Sequence, residues 1–194
     1  MTINFKIIFP LLLSLSLSSQ PSTAATVKGV DIPEKISLPG SQQSLILNGA
    51  GIRSKFFFSI YIGALYLPAK QSSVESILSN NSPRRVLMYC LYDEISKDKL
   101  NAAWDEGFTE NNTEQALDKL SARIKQFSAI FPALREGDRV YLDYVPSVGT
   151  NLIYNGNELG TIQGEDFNIA LLKVWLGEHP ADSDLKPAML GTKN

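Results

Sequence analysis

NGAGIRSKFFFSIYIGALYL, residues 48–67, is the stretch whose reading decides the fold. Gly49 and Gly51 can adopt backbone angles closed to other residues, so they read as a turn, with one fixed cation, Arg53, just after them. From Phe56 to Leu67 nearly every side chain is apolar, aromatic or β-branched. Such a run reads as a long strand that no face exposes to water, the central strand of a sheet covered on both sides. At twelve residues it is too short for a helix that crosses a bilayer. Ser59 and Tyr61 are the next polar groups after Arg53. Strand alternation over two residues predicts that they share a face.

Outward from this stretch, 194 residues with 44% hydrophobic and 20% charged side chains fit one globular domain with a sizeable core. A formal net charge of -2, with lysines and arginines scattered apart from Arg84 and Arg85, provides no field for a polyanion and excludes nucleic acid as a partner. One histidine, His179, one cysteine, Cys90, and dispersed carboxylates offer no zinc spacing, so no metal site is expected. There is no phosphate-cradling P-loop and no G-x-G-x-x-G, so no cofactor is expected either.

The chain opens with a pattern of its own. Lys6 supplies a positive n-region, Ile7–Leu17 an apolar h-region, and Ser22, Thr23, Ala24 and Ala25 the small residues that precede a signal-peptidase cut. Residues 1–25 are therefore expected to be a secretory signal peptide and residues 26–194 a single exported domain, periplasmic or secreted. Ser14, Ser16, Ser18, Ser19 and Gln20 interrupt the apolar run before it could serve as an anchor. A lone cysteine closes no intramolecular disulfide, so stability must come from the core. Cys90 lies in the apolar run from Val86 to Tyr92, and its reading is a small core hydrophobe rather than a nucleophile.

Before the central stretch, residues 30–33 and 43–47 read as short strands joined by a turn at Pro39 and Gly40. After it, residues 74–78 suit a short helix and residues 85–92 a returning strand. That strand puts Val86, Met88, Cys90 and Tyr92 on one face and Leu87, Tyr89 and Leu91 on the other. Ser96 caps a helix that runs to about Asn111 with Leu100, Ala103, Trp104, Gly107 and Phe108 at helical spacing. Thr113 caps a second, in which Leu117, Leu120, Ile124, Phe127 and Phe131 form one stripe and Pro132 the stop. Residues 137–145, 151–154 and 158–162 alternate between turn signals and read as an antiparallel meander. Helices over 166–176 and 183–190 finish the chain. The sum is an α+β fold, a largely antiparallel sheet with helices against one face.

The G-A-G-x-R segment, the strand ending IYIGALYL, the paired helices with Trp104 and Phe108, the GDRVYLDY meander and the closing FNIALLKVWLG resemble, in that order, the chalcone isomerase-like family in its bacterial exported branch. The resemblance covers essentially all of the chain after residue 25. It implies a large antiparallel sheet, a helical layer and a ligand cleft between them. The plant isomerases of the family use an arginine after the G-A-G turn, a threonine on the following strand and a tyrosine just before the first paired helix. Arg53 matches the arginine, Tyr61 stands where the threonine would be, and Glu94, Ile95, Ser96 and Lys97 occupy the region of the missing tyrosine. The plant plastid relatives that bind fatty acids without catalysis are similar to this chain at both remaining positions, with an arginine and then a tyrosine to hold the carboxylate.

The chemistry of the residues points the same way. A guanidinium keeps its proton at neutral pH and presents a planar fork of donors, so beside a phenol it suits a carboxylate better than proton transfer. No general base is visible near Arg53 in the sequence. Two functions follow. The first is a non-catalytic periplasmic binding protein for a fatty acid or similar small amphipathic carboxylate, with Arg53 and Tyr61 on the head group and the gap between sheet and helices on the tail. The second is an isomerase of the chalcone isomerase type, with Arg53 stabilising an oxyanion and Tyr61 or Tyr89 relaying a proton. Trp104, Phe108 and Phe56, Phe57 and Phe58 are expected in the core, some of them lining the cleft.

Overall fold

The structure, a computed structural model, describes residues 24–41 and 43–193. In chain order the elements are β1 (Ala24–Val27), β2 (Val30–Pro33), β3 (Lys35–Ser37), β4 (Ser44–Lys55), β5 (Phe58–Leu67), α1 (Val74–Ser79), β6 (Arg84–Cys90), β7 (Glu94–Ile95), α2 (Lys97–Asn111), α3 (Glu114–Ile130), β8 (Leu134–Arg135), β9 (Arg139–Val145), β10 (Gly149–Tyr154), β11 (Asn157–Ile162), α4 (Glu165–Leu176) and α5 (Leu185–Met189). The predicted leader falls outside the described residues except for Ala24 and Ala25, which begin β1.

Seven strands form one antiparallel sheet in the order β11-β10-β9-β6-β5-β4-β3. The expected α+β architecture is therefore the one observed. Both faces are apolar, as the unbroken strand sequences require. On one face Leu65, Val86, Met88, Cys90, Val140 and Leu142 meet the helices; on the other Ile62, Ala64, Tyr66 and Leu87 meet Ile32 of the β1–β2 hairpin and Leu38. The split of β6 into two alternating faces is as the sequence reads.

The caps work as their residue types predict. Ser96 accepts from the Lys99 N–H at the start of α2, and Thr113 from the Ala116 N–H at the start of α3. The stripe on α3 and the inner face of α2 converge on α4, which is apolar almost all round and correspondingly buried. Trp104 lies edge-on to Phe127, Phe131 and Trp175, with ring centroids 5.2, 5.0 and 5.5 Å away. This aromatic cluster fills the middle of the gap between sheet and helices.

Three sequence readings of the decisive stretch need correction. Gly49 and Gly51 are not a turn; both sit inside β4, paired to Leu65 and Gly63 of β5. Their missing side chains make room for α5. A Cβ on Gly49 would fall 2.0 Å from the Ala188 carbonyl oxygen, and one on Gly51 would fall 2.5 Å from the Ala188 Cβ. The turn is at Phe56 and Phe57, between Lys55 and Phe58, so Phe56, Phe57 and Phe58 are exposed rather than core. Finally, Ser59 and Tyr61 do not share a face. The ladder pairs Arg53 with Tyr61 but Ser54 with Ser59, so Ile60 is an extra residue in a β-bulge and the alternation breaks there. Ile60 and Tyr61 both pack toward the helices, while Ser59 accepts a hydrogen bond from Lys28 of the β1–β2 turn. The strand at residues 30–33 also pairs with β1 and not with the start of β4, whose partner is β3.

Candidate functional site

The bulge brings Arg53 and Tyr61 side by side at the open end of the helix-facing surface. They are direct cross-strand neighbours, and the guanidinium carbon of Arg53 lies 5.7 Å from the centre of the Tyr61 ring. Arg53 is half-buried and donates from Nε to the Ala181 carbonyl at 3.3 Å, which fixes its stem and leaves the outer nitrogens of the fork to other partners. Asp182, next in the chain, accepts from the Ser54 N–H at 2.8 Å and so is held against the same corner.

Tyr61 is buried, and burial pushes its phenol well above the ordinary value of 10.0, although the Arg53 charge and the bond from Trp175 oppose the shift. It therefore stays protonated at neutral pH. Trp175 donates its indole N–H to the Tyr61 oxygen at 2.9 Å, and no acceptor among the described residues takes the Tyr61 proton. A second donor stands beside it. Trp104 Nε1 is buried without a partner among the described residues. A buried N–H left unpaired is unfavourable, so an acceptor entering this corner is rewarded.

Two cavities flank the Arg53–Tyr61 pair. The first, about 470 Å³, lies toward Trp104, Gly107 and Val174, and its rim carries Glu106, Glu110, Glu178 and His179. The second, about 450 Å³, runs between the end of the hairpin and α2 and is walled by Phe56, Phe58, Ile60, Tyr92 and Ile95. Phe58 and Tyr92 meet edge to face at 5.8 Å. Both are of a size ordinary for small-molecule sites. Charge separates them. The first sets Arg53 and Lys55 against three glutamates, the second sets Arg53, Lys55 and Lys99 against Glu94 and Glu106. An anionic head at Arg53 with an apolar tail is thus better served by the second.

Of the residues singled out in the sequence, the structure brings Arg53 and Tyr61 together and keeps Trp104 next to them. It does not bring Tyr89, which sits on the opposite face of the sheet under Arg139, with 5.0 Å between guanidinium carbon and ring centre. Cys90 pairs with Tyr61 in the ladder but is fully buried, and burial pushes its thiol up. The absence of a nearby base is also corrected, because Glu106, Glu110, Glu178 and His179 reach the first cavity from segments more than 50 residues away. Their helix and turn positions carry no sequence signal that links them to Arg53. Among the described residues no cluster of acidic, histidine or cysteine side chains could hold a metal.

A family model described as chalcone isomerase-like matches residues 24–191. No curated protein sequence matches the chain. Among solved structures the chain is similar to the Arabidopsis thaliana fatty-acid binding protein, with 14% identity, a TM-score of 0.67, and coverage of 87% of this chain and 95% of that one.

Proposed function

The chain belongs to the chalcone isomerase-like family, and from that membership and the geometry of the cleft we propose that it is a non-catalytic binding protein for a fatty acid or a similar small amphipathic carboxylate. The head group sits at Arg53 and Tyr61 and the tail lies in the cavity walled by Phe58, Ile60 and Tyr92. One observation carries the reading: a guanidinium with free donors and a protonated phenol are cross-strand partners at the mouth of an apolar cavity with an excess of cations. A carboxylate there accepts the Arg53 fork and the Tyr61 O–H, and its apolar chain leaves water. The resemblance of the fold to a fatty-acid binding protein supports the same choice. Titration of fatty acids into delipidated protein tests it.

The protein works outside the cytoplasm. The n-, h- and c-regions of residues 1–25 support export and cleavage, and no described helix is long and apolar enough to cross a membrane. The intact mass of the exported protein is the test: a chain beginning at Ala25 or Thr26 is expected, and a species retaining Met1 contradicts it.

A second reading, an isomerase of the chalcone isomerase type, draws on the carboxylates and His179 at the rim of the first cavity. Tyr61 cannot serve it as a base, because the phenol is held protonated. Chalcone turnover by the purified protein decides between the two.

A further inference from the structure

We propose that the tip of the β4–β5 hairpin is a docking surface for an anionic lipid bilayer, seating its phenylalanines in the headgroup region. Phe57 is 100% exposed, Phe56 85% and Phe58 57%. Soluble proteins scatter single apolar side chains over their surfaces; three consecutive phenyl rings, two on the turn and one at the start of β5, form a patch that water does not explain. The backbone adds a second sign. Phe56 has φ 57°, a left-handed conformation that glycine or asparagine adopts readily at this turn position and that a bulky residue rarely does. An aromatic side chain stands here against local preference.

The surroundings identify the partner by charge. Lys55 immediately precedes the turn, and Lys28, from the neighbouring β1–β2 turn, reaches the hairpin to donate to Ser59 at 2.7 Å. Lys99 lies on the wall of the cavity below. Aromatic side chains beside the exposed Lys28, Lys55 and Lys99, with Glu94 and Glu106 as the opposing charges on the same cavity wall, carry an excess of cations. That excess matches a bilayer with acidic headgroups, where rings sit at the interface and each cation adds attraction. The rings carry no hydrogen-bonding group that would fix a register against a folded protein partner. The tip is also continuous with the cleft, because Phe56 and Phe58 are part of the wall of the second cavity. A docked tip sets the mouth of that cavity against the lipid, where an amphiphile can pass between bilayer and protein. The docking goes beyond ligand binding and does not depend on it.

The test is flotation with vesicles, without added fatty acid, of protein purified from cells expressing the full chain, as wild type and as variants. Vesicles of phosphatidylcholine mixed with phosphatidylglycerol are compared with phosphatidylcholine alone. Wild type is expected to float with the anionic vesicles and to be released by salt. Phe56→Ser with Phe57→Ser should lower the partition coefficient by about tenfold at unchanged melting temperature, and Lys55→Gln by about fivefold. Phe57→Trp should keep binding and shift its tryptophan emission to the blue on the anionic vesicles. Equal flotation of wild type and the double serine variant, or no shift in Phe57→Trp, overturns the proposal. A sedimentation coefficient that falls in the double variant, with no vesicle binding by wild type, assigns the tip to contact between protein copies instead.

Discussion

Trp175 donates its indole N–H to the Tyr61 hydroxyl at 2.9 Å, so the phenol's single acceptor task is met from inside the core and its own proton is the group offered to the cleft. The bond ties α4 to β5 through two fully buried rings and fixes the phenol at the floor of the site. Tyr61 is therefore a structural residue of the core, and under the proposed function it is also the phenol that meets the ligand head group.

Tyr61→Phe should accordingly cost stability as well as affinity. It leaves the Trp175 N–H buried without a partner, a loss of about 1 to 3 kcal/mol. Trp175→Phe removes the other half, and the double variant should lose less than the sum of the singles. Urea denaturation of the four proteins measures the coupling; strictly additive losses would show that the bond contributes nothing to folding.

Gly49→Ala should destabilise the protein by about 1 to 3 kcal/mol, since the added methyl group meets the Ala188 carbonyl and α5 must shift off β4. Asn48 is part of the same joint, donating to the Met189 carbonyl at 2.8 Å. Thermal melting reads the loss, and an unchanged midpoint would mean that α5 does not rest on these glycines.

Cys90 should react with thiol reagents only when the protein opens. Its S–H points to the Tyr92 carbonyl at 3.3 Å and burial keeps it a thiol, so thiolate is scarce at neutral pH. Cys90→Ser should bind ligand normally and lose about 1 kcal/mol, near the low end for a buried hydroxyl because the same carbonyl can accept from it. Labelling of the native protein within seconds at neutral pH contradicts this placement.

Asp138 supplies an acid limb to stability. Burial raises its pKa, but hydrogen bonds from Asn155, the Arg135 N–H and Tyr154 outweigh that and hold it below its ordinary 3.8. A carboxyl with a lowered folded-state pKa stabilises above 3.8, and that stabilisation is lost as pH falls through the lower value. Asp138→Asn should reduce stability at neutral pH and flatten the decline below pH 4. Melting curves across the acid range check it, and parallel declines in both proteins would assign the limb to other groups.

Much of the fold was legible because its signals are local. The alternation in residues 86–92, the caps Ser96 and Thr113 and the α3 stripe each specify their own element, and the structure has them there. The hairpin within residues 48–67 was not legible as such. Gly49 and Gly51 look like a turn, yet they answer to α5, more than 130 residues later, and Phe56-Phe57 is a turn with none of the usual turn residues. The bulge at Ile60, which pairs Arg53 with Tyr61, likewise has no local signature. Arg84 and Arg85, adjacent in sequence, are a case of opposite fates. Arg84 is buried and donates to the carbonyls of Ile77, Asn80 and Ser82, whereas Arg85 pairs with Asp143 across the sheet. The rim carboxylates were hidden for the same reason as the contact of α5 with Gly49 and Gly51: they come from distant segments.

The most direct test of the binding function is titration of medium-chain and long-chain fatty acids into delipidated wild type, Arg53→Ala and Arg53→Lys, with chalcone turnover assayed on the same samples. Arg53 is half-buried and its fork is partly free, so losing its charged hydrogen bonds should weaken binding by about 1.5 to 3 kcal/mol, roughly ten- to a hundredfold. Arg53→Lys keeps the charge without the planar fork and should fall between. Unaltered melting is expected in both, since the bond lost to Ala181 is a single partly exposed one. Equal affinity in wild type and Arg53→Ala, or chalcone turnover that disappears with Arg53, would contradict the account.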